Sequence, residues 1–412
     1  MNSELRAQAE AIARSAIRAV LPEAAVERAL RGMEFPGRVC LVAVGKAAPR
    51  MAKAAMDRLP RAVDAGVVIS KYGHFSEELS PLRCMEAGHP VPDDNSVAAA
   101  TVALKLTEDL GPEDTVLFLL SGGGSALFEK PLIPLEELQD ITSQLLSCGA
   151  DIVEINTLRK RLSAVKGGRF ALHCAPARVE AVILSDVLGD PLDMIASGPV
   201  SPDSSTCADA QEIVKKYGLR LSGRAQECIF RETPKGLENV RAQVVGSVRE
   251  LCRAAESACR EMGYETVYLT DRLDCEAREA GSFLASILLS HAHEGKRLAF
   301  IAGGETVVHL TGTGKGGRNQ ELALSACRGI RGLPGAAVIS VGSDGTDGPT
   351  DAAGGYSDGE SFDALLAQGL ELHETLQNND AYHALGAIGG LIFTGPTGTN
   401  VNDICIGLLS GD

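Results

Sequence analysis

Six short segments of this chain carry residue types that handle anions and metal ions. Val44-Gly45-Lys46-Ala47-Ala48-Pro49 closes an apolar run with a glycine and a lysine, then sets a proline in the first turn of a helix. A lysine there is a compact positive charge above a helix N-terminus, whose free N–H groups already favour an anion. Ser121-Gly122-Gly123-Gly124-Ser125 follows the most apolar strand, and its glycines free the backbone to turn several N–H groups onto one anion. Ser185-Asp186-Val187-Leu188-Gly189-Asp190 offers two carboxylates, hard oxygen ligands of the kind Mg²⁺ takes while keeping its waters. Gly312-Thr313-Gly314-Lys315-Gly316-Gly317-Arg318-Asn319 combines four glycines with a lysine and the planar fork of an arginine, and opens a helix. Ser343–Asp351 and Thr394–Asn400 add carboxylates, hydroxyls and further glycines. Singly, each reads as a flexible or solvated turn. Together they supply what phosphoryl transfer needs, namely cations and a metal around developing charge with little covalent chemistry from the protein.

Composition narrows the alternatives. A formal charge of −15 over 412 residues opposes a nucleic-acid partner, since phosphate-backbone binding requires a basic face. The eleven cysteines are scattered with no C-x-x-C, which suggests small buried residues in a reducing compartment and no zinc site. No apolar run approaches the ~20 residues that span a bilayer, and the N-terminus shows no signal peptide, so a cytoplasmic protein is expected. Neither a P-loop nor H-E-x-x-H is present.

The elements that must position these segments alternate. Apolar runs at Val39–Val44, Ala65–Ser70, Thr115–Leu120 and Glu180–Leu184 read as strands, with helical patterns after Lys46 and over 96–110, 135–147 and 156–173. Residues 3–21 carry one apolar helical stripe through Leu5, Ala9, Ile12, Ala16 and Val20. This βαβ rhythm predicts an α/β fold with a mostly parallel sheet covered on both faces. Periodicity fades over 219–240, then strands recur at 243–245, 265–269, 298–302, 306–311, 336–341 and 401–409. Two domains are expected, 1–235 and 236–412, with ligands at the strand ends.

These segments, in this order, resemble the class II glycerate 2-kinases, the family whose C-terminal half is called the MOFRL domain. The resemblance spans Val44–Lys46, Ala87–Asp93, Ser121–Leu127, Leu158–Arg169, Ser185–Pro199, Gly303–Glu305 with Gly316–Glu321, Asp344–Gly355 and Thr394–Asp403. It implies a Rossmann-like N-terminal domain, a smaller α/β MOFRL domain and a cleft between them. It further implies ATP as cosubstrate, Mg²⁺ or another divalent cation, D-glycerate as acceptor and 2-phosphoglycerate as product. By the same resemblance, Lys46 and Arg318 are the catalytic cations. Leu188, Arg161 and Val248 stand where the family commonly has Pro, His and Asn, and none of these differences removes a proposed charge. On this reading Asp186 and Asp190 hold the metal, or one of them, with Asp186 favoured, accepts the hydroxyl proton. Ser121, Gly122, Gly123, Gly124 and Ser125, with Gly316, Gly317 and Asn319, bind the anionic groups. Partners are small molecules only, without nucleic acid or membrane, and the protein is a monomer or homodimer. Two rivals remain: an NAD(P)H-dependent hydroxypyruvate reductase, which needs a dinucleotide fingerprint and a proton donor, and a non-catalytic sugar-phosphate sensor. The histidines, His89 included, are assigned structural roles.

Overall fold

The computed structural model describes residues 1–60 and 63–411, which form two compact units: Ala25–Val245, and Met1–Ala24 joined to Gly246–Asp412. In the first unit, strands β1 (Val39–Val44), β2 (Val63–Lys71), β3 (Arg83–Ala87), β4 (Thr115–Leu120), β5 (Arg178–Leu184) and β6 (Val240–Gly246) form a sheet in the order β3-β2-β1-β4-β5-β6. β1 runs parallel to β2 and β4, as do β2 to β3 and β4 to β5. Every residue of β1 and β4 is buried, because helices cover both faces of the sheet, and so their sequences read as unbroken apolar runs. Val42, Val44 and Phe118 pack on one face with Phe128 and Phe170; Leu41, Ala43, Leu117 and Leu119 pack on the other with Met51. With no tryptophan in the chain, the three phenylalanines supply the bulk of that core, their ring centroids 5.1–6.1 Å apart. The strand order reverses between β1 and β4, so the loops leaving these two strands lie at the switch point where open α/β sheets take their ligands.

The second unit holds β7 (Glu265–Leu273), β8 (Arg297–Gly304), β9 (Ala336–Gly342), β10 (Gly354–Asp358), β11 (Leu391–Ile392) and β12 (Asp403–Ser410), in the order β11-β10-β9-β12-β8-β7. β7 and β8 are parallel, whereas β12 runs antiparallel to both β8 and β9, and β10 antiparallel to β9 and β11. The parallel rhythm of the first unit therefore gives way to a mixed sheet. Its register sets Asp403, at the start of β12, beside Gly304 and Gly342 at the ends of β8 and β9. Three connections thus converge on one edge.

Several expectations shift. The division falls at 245/246 rather than 235/236, because β6 adds to the first sheet beside β5. Residues 1–24 group with the second unit: the buried stripe of helix Ser3–Ala19 includes Leu5, Ala9, Ile12 and Ala16, and Gln8 accepts from Tyr264 at 2.6 Å. Residues 306–311 are not a strand; apart from an isolated bridge between Val307 and Glu276 they form a loop, with Leu310 82% exposed. The single helix expected over 156–173 is two, Ile152–Leu162 and Arg169–Cys174, separated where Gly167 and Gly168 take positive φ. Among the described residues no helix is long and apolar enough to cross a membrane.

Helix Ala277–His291 packs on helix Arg318–Ala326 through Gly281, where an added Cβ would lie 2.1 Å from the Leu322 carbonyl oxygen. Gly281→Ala is therefore expected to lower stability by about 1–3 kcal/mol, read as a fall of several degrees in the melting temperature.

Candidate functional site

The loops after β1 and β4 interlock. Gly45 has φ +126°, and a Cβ there would lie 2.2 Å from Ser121 Oγ, so a glycine is required on both steric and conformational grounds. Lys46 N donates to Gly122 O at 2.9 Å and Ala47 N to Ser121 Oγ at 3.0 Å. Ser121 is thus a buried clamp between the two loops rather than a hydroxyl offered to a ligand. Lys46 itself is exposed, and among the described residues its ammonium makes no hydrogen bond or ion pair. Gly123, at φ +90°, starts the short helix Gly124–Leu127; its Cβ would meet the His89 ring at 3.1 Å and the Lys46 side chain at 3.4 Å. His89 is therefore part of this cluster, not remote from it. Burial, then the charges of Lys46, Lys71 and His74, lower its pKa and keep the ring neutral.

The loop after β5 brings the carboxylates. Asp186 Oδ2 lies where a Cβ on Gly122 would be 2.2 Å away, so Gly122 makes room for that carboxylate. Asp190 takes φ +55°, and its Oδ1 is buried without a hydrogen-bond partner among the described residues. An unsatisfied carboxylate oxygen fits an oxygen-coordinated divalent cation. No group of three or more His, Cys, Asp or Glu among the described residues has metal-binding geometry. Two carboxylates nevertheless suffice for Mg²⁺, which takes most of its remaining ligands from water and phosphate. Ser125 Oγ and Ser197 Oγ lie 3.1 Å apart, and Ser197 donates to Asn156 Oδ1 at 2.8 Å.

In the second unit Arg318 begins a helix whose following eight residues are all buried. Its Nε and Nη2 reach the two Asp403 carboxylate oxygens at 2.5 and 3.1 Å, and Nη1 reaches Glu305 at 2.9 Å. Glu305 also accepts from Asn402 at 2.9 Å. Burial pushes the Asp403 carboxyl up to about 6 against the opposing pull of Arg318, while the two carboxylates raise Arg318 further. The guanidinium is permanently charged and held flat in one orientation. Asp347, buried and raised in pKa by that burial, accepts from Asn319 N at 3.2 Å and Gln320 N at 2.8 Å. The first N–H groups of this helix are thereby already taken. Asn319 and Gly317 serve Asp347 here; a Cβ on Gly317 would strike its carboxylate at 2.3 Å. Gly316 precedes this turn and packs against Ala381, and Lys315 Nζ sits over the Tyr382 ring at 4.4 Å.

Two sequence patterns look like other chemistries and are not. Gly312 to Gly317 spells G-x-G-x-x-G, but it follows a loop rather than a strand, and Gly312 and Gly314 are packed against Asn378 and Asp380. That is not the strand–turn–helix context of a dinucleotide fingerprint. Gly355-Tyr356-Ser357-Asp358-Gly359 spells G-x-S-x-G, yet Ser357 is fully buried within β10 and donates to Ala323 O at 2.6 Å. It is no nucleophile elbow. The segments that hold His89, Glu305, Asp347 and Asp403 stand out in the sequence, but nothing in it pairs His89 with Gly123, Asp347 with the helix N–H groups, or Asp403 and Glu305 with Arg318, because those pairings arise from topology.

Comparison with known proteins places the chain in a family. A family model described as a domain of unknown function, DUF4147, matches residues 8–229, and the MOFRL family model matches 298–403. A D-glycerate 2-kinase of Thermotoga maritima is 52% identical over 404 residues, covering 97% of each chain. A glycerate 2-kinase of Pyrococcus horikoshii is 41% identical, covering 92% of this chain and 90% of its own. The crystal structure of a glycerate kinase from Thermotoga maritima superposes with a TM-score of 0.94 at 51% identity, covering 98% of this chain and 99% of that one. With likeness of this extent in both sequence and structure, the chain belongs to the class II glycerate kinases, the family that carries the MOFRL domain.

Proposed function

We propose that this protein transfers the γ-phosphoryl group of ATP to the 2-hydroxyl of D-glycerate. The observation that carries the reading is Lys46: a cation at the end of β1, unpaired among the described residues, over a glycine turn at the strand-order reversal, in a chain whose relatives include glycerate 2-kinases. Lys46 binds the passing phosphoryl oxygens as a point charge. Arg318 offers a fork to developing phosphoryl charge, its orientation fixed beforehand by Asp403 and Glu305. The 121–125 turn contributes backbone N–H groups to an anion. Asp186 and Asp190 would hold a divalent cation, which neutralises phosphate charge when bound. One of these carboxylates receives the hydroxyl proton as the acceptor is phosphorylated. Neutral His89 beside Gly123 borders the same turn. The absence of a strand before Gly312 disfavours the reductase reading. Eleven unpaired cysteines support a reducing, cytoplasmic setting.

A coupled ADP-release assay with D-glycerate, with phosphorus NMR identifying 2-phosphoglycerate, tests the reaction. Turnover is expected in the wild type and a loss of about a hundredfold or more in kcat for Lys46→Ala; wild-type turnover in that variant would reject the assignment. Asp403 should also leave its mark on the pH profile. Unfolded, it titrates near 4, and folded near 6, so its contribution to stability is present at low pH and lost as pH rises through about 6. The charge that orients Arg318 appears only over that same rise. Activity is therefore expected to fall on the acid side with an apparent pKa near 6, and Asp403→Asn should abolish that limb.

A further inference from the structure

Beyond Lys46 and Arg318, one more cation stands out. Arg159, on helix Ile152–Leu162, is half-buried, yet among the described residues its guanidinium makes no hydrogen bond or ion pair. Its neighbours on the same helix are fully engaged: Lys160 binds Asp193 and Asp203, each at 3.0 Å, and Arg161 donates to Thr157 O, Ser205 Oγ and Ser205 O. Guanidinium groups shielded from water are normally paired, so an unpaired one needs a reason.

The surroundings supply it. Among the described residues Arg159 feels one counter-charge, Glu129, which is itself fully buried with neither carboxylate oxygen hydrogen-bonded. Glu129 is shared with Lys166, buried 3.8 Å away and pulled down to about 8 by that burial. Two cations, one half-buried and one fully buried, thus divide a single carboxylate, and the cluster carries an excess positive charge that an incoming anion would neutralise. The cluster also adjoins the glycine turn. Glu129 lies just past the short helix Gly124–Leu127 that follows this turn, and Lys166 Nζ donates to Phe128 O at 2.9 Å and Ala196 O at 3.3 Å. Asn156, one turn before Arg159 on the same helix face, accepts from Ser197, which contacts Ser125 at 3.1 Å. A planar fork matches a carboxylate in a way that a point charge does not.

We infer that Arg159 is the seat of the acceptor's carboxylate, with the Ser125–Ser197–Asn156 hydrogen-bond chain beside it. This rests on the kinase reading, with D-glycerate as acceptor. Arg159 binds the group that is not phosphorylated and so selects hydroxy acids over neutral alcohols.

The test compares wild type, Arg159→Gln and Arg159→Lys, using D-glycerate, its neutral amide and ATP. Arg159→Gln should raise KM for D-glycerate by about a hundredfold while KM for ATP stays within about twofold, and should erase the wild type's preference for the acid over the amide. Arg159→Lys, which keeps the charge but loses the fork, should fall between the two. Circular dichroism and melting curves should show all variants folded, since removing Arg159 relieves charge repulsion. If Arg159→Gln does not fold, Arg159→Lys and the wild-type acid-to-amide preference decide the matter. An unchanged KM for D-glycerate would overturn the inference, as would a rise in KM for ATP instead, which would assign the site to a nucleotide phosphate. A wild type with no glycerate-dependent ATP turnover would sink the kinase reading itself, an outcome distinct from these.

Discussion

A charge withdrawn from water must be paired, and this constraint organises both units. Arg318 can stand at a fixed angle at the start of a buried helix only because Asp403 and Glu305 grip it from two sides. Asp403 is available because β12 starts beside the ends of β8 and β9, and Glu305 because it directly follows Gly304 at the end of β8. Asp347 performs a parallel duty, occupying the helix N–H groups that would otherwise be open to any anion. The helix end is thereby closed to chance ligands, while the guanidinium is left oriented.

The first unit applies the opposite policy to Lys46. There the backbone is tied down, through Lys46 N to Gly122 O and Ala47 N to Ser121 Oγ, and the ammonium is left without a partner among the described residues. The glycines at 45, 122 and 123 serve this arrangement sterically: side chains at those positions would strike Ser121, Asp186 and His89. A rigid platform with a free charge suits a ligand that supplies the missing anion. Pre-organisation of this kind lowers a barrier because the dipoles need not reorganise as charge moves.

Much of this was legible in the sequence where burial is two-sided. β1 and β4 were readable residue for residue, since a strand covered on both faces is apolar throughout. β3, Arg-Cys-Met-Glu-Ala, and β10, Gly-Gly-Tyr-Ser-Asp, were not, because pairing with neighbouring strands rather than local composition makes them strands. The converse error occurred at 306–311, where β-branched residues suggested a strand but only Val307 finds a bridging partner. Lys46, Arg318 and the glycine turns were visible because each required an unusual residue type at an element boundary. The carboxylates that hold Arg318, and His89 beside Gly123, lie far from their partners in sequence, so topology alone reveals them.

The central claim is that a pre-oriented guanidinium at position 318 stabilises charge that develops during phosphoryl transfer. Its most direct test is kcat for ATP-dependent phosphorylation of D-glycerate by Arg318→Met, with the melting temperature measured alongside. A fall of about a hundredfold or more in kcat, with the protein still folded and KM for ATP little changed, is the predicted result. A folded Arg318→Met enzyme turning over at the wild-type rate would contradict it.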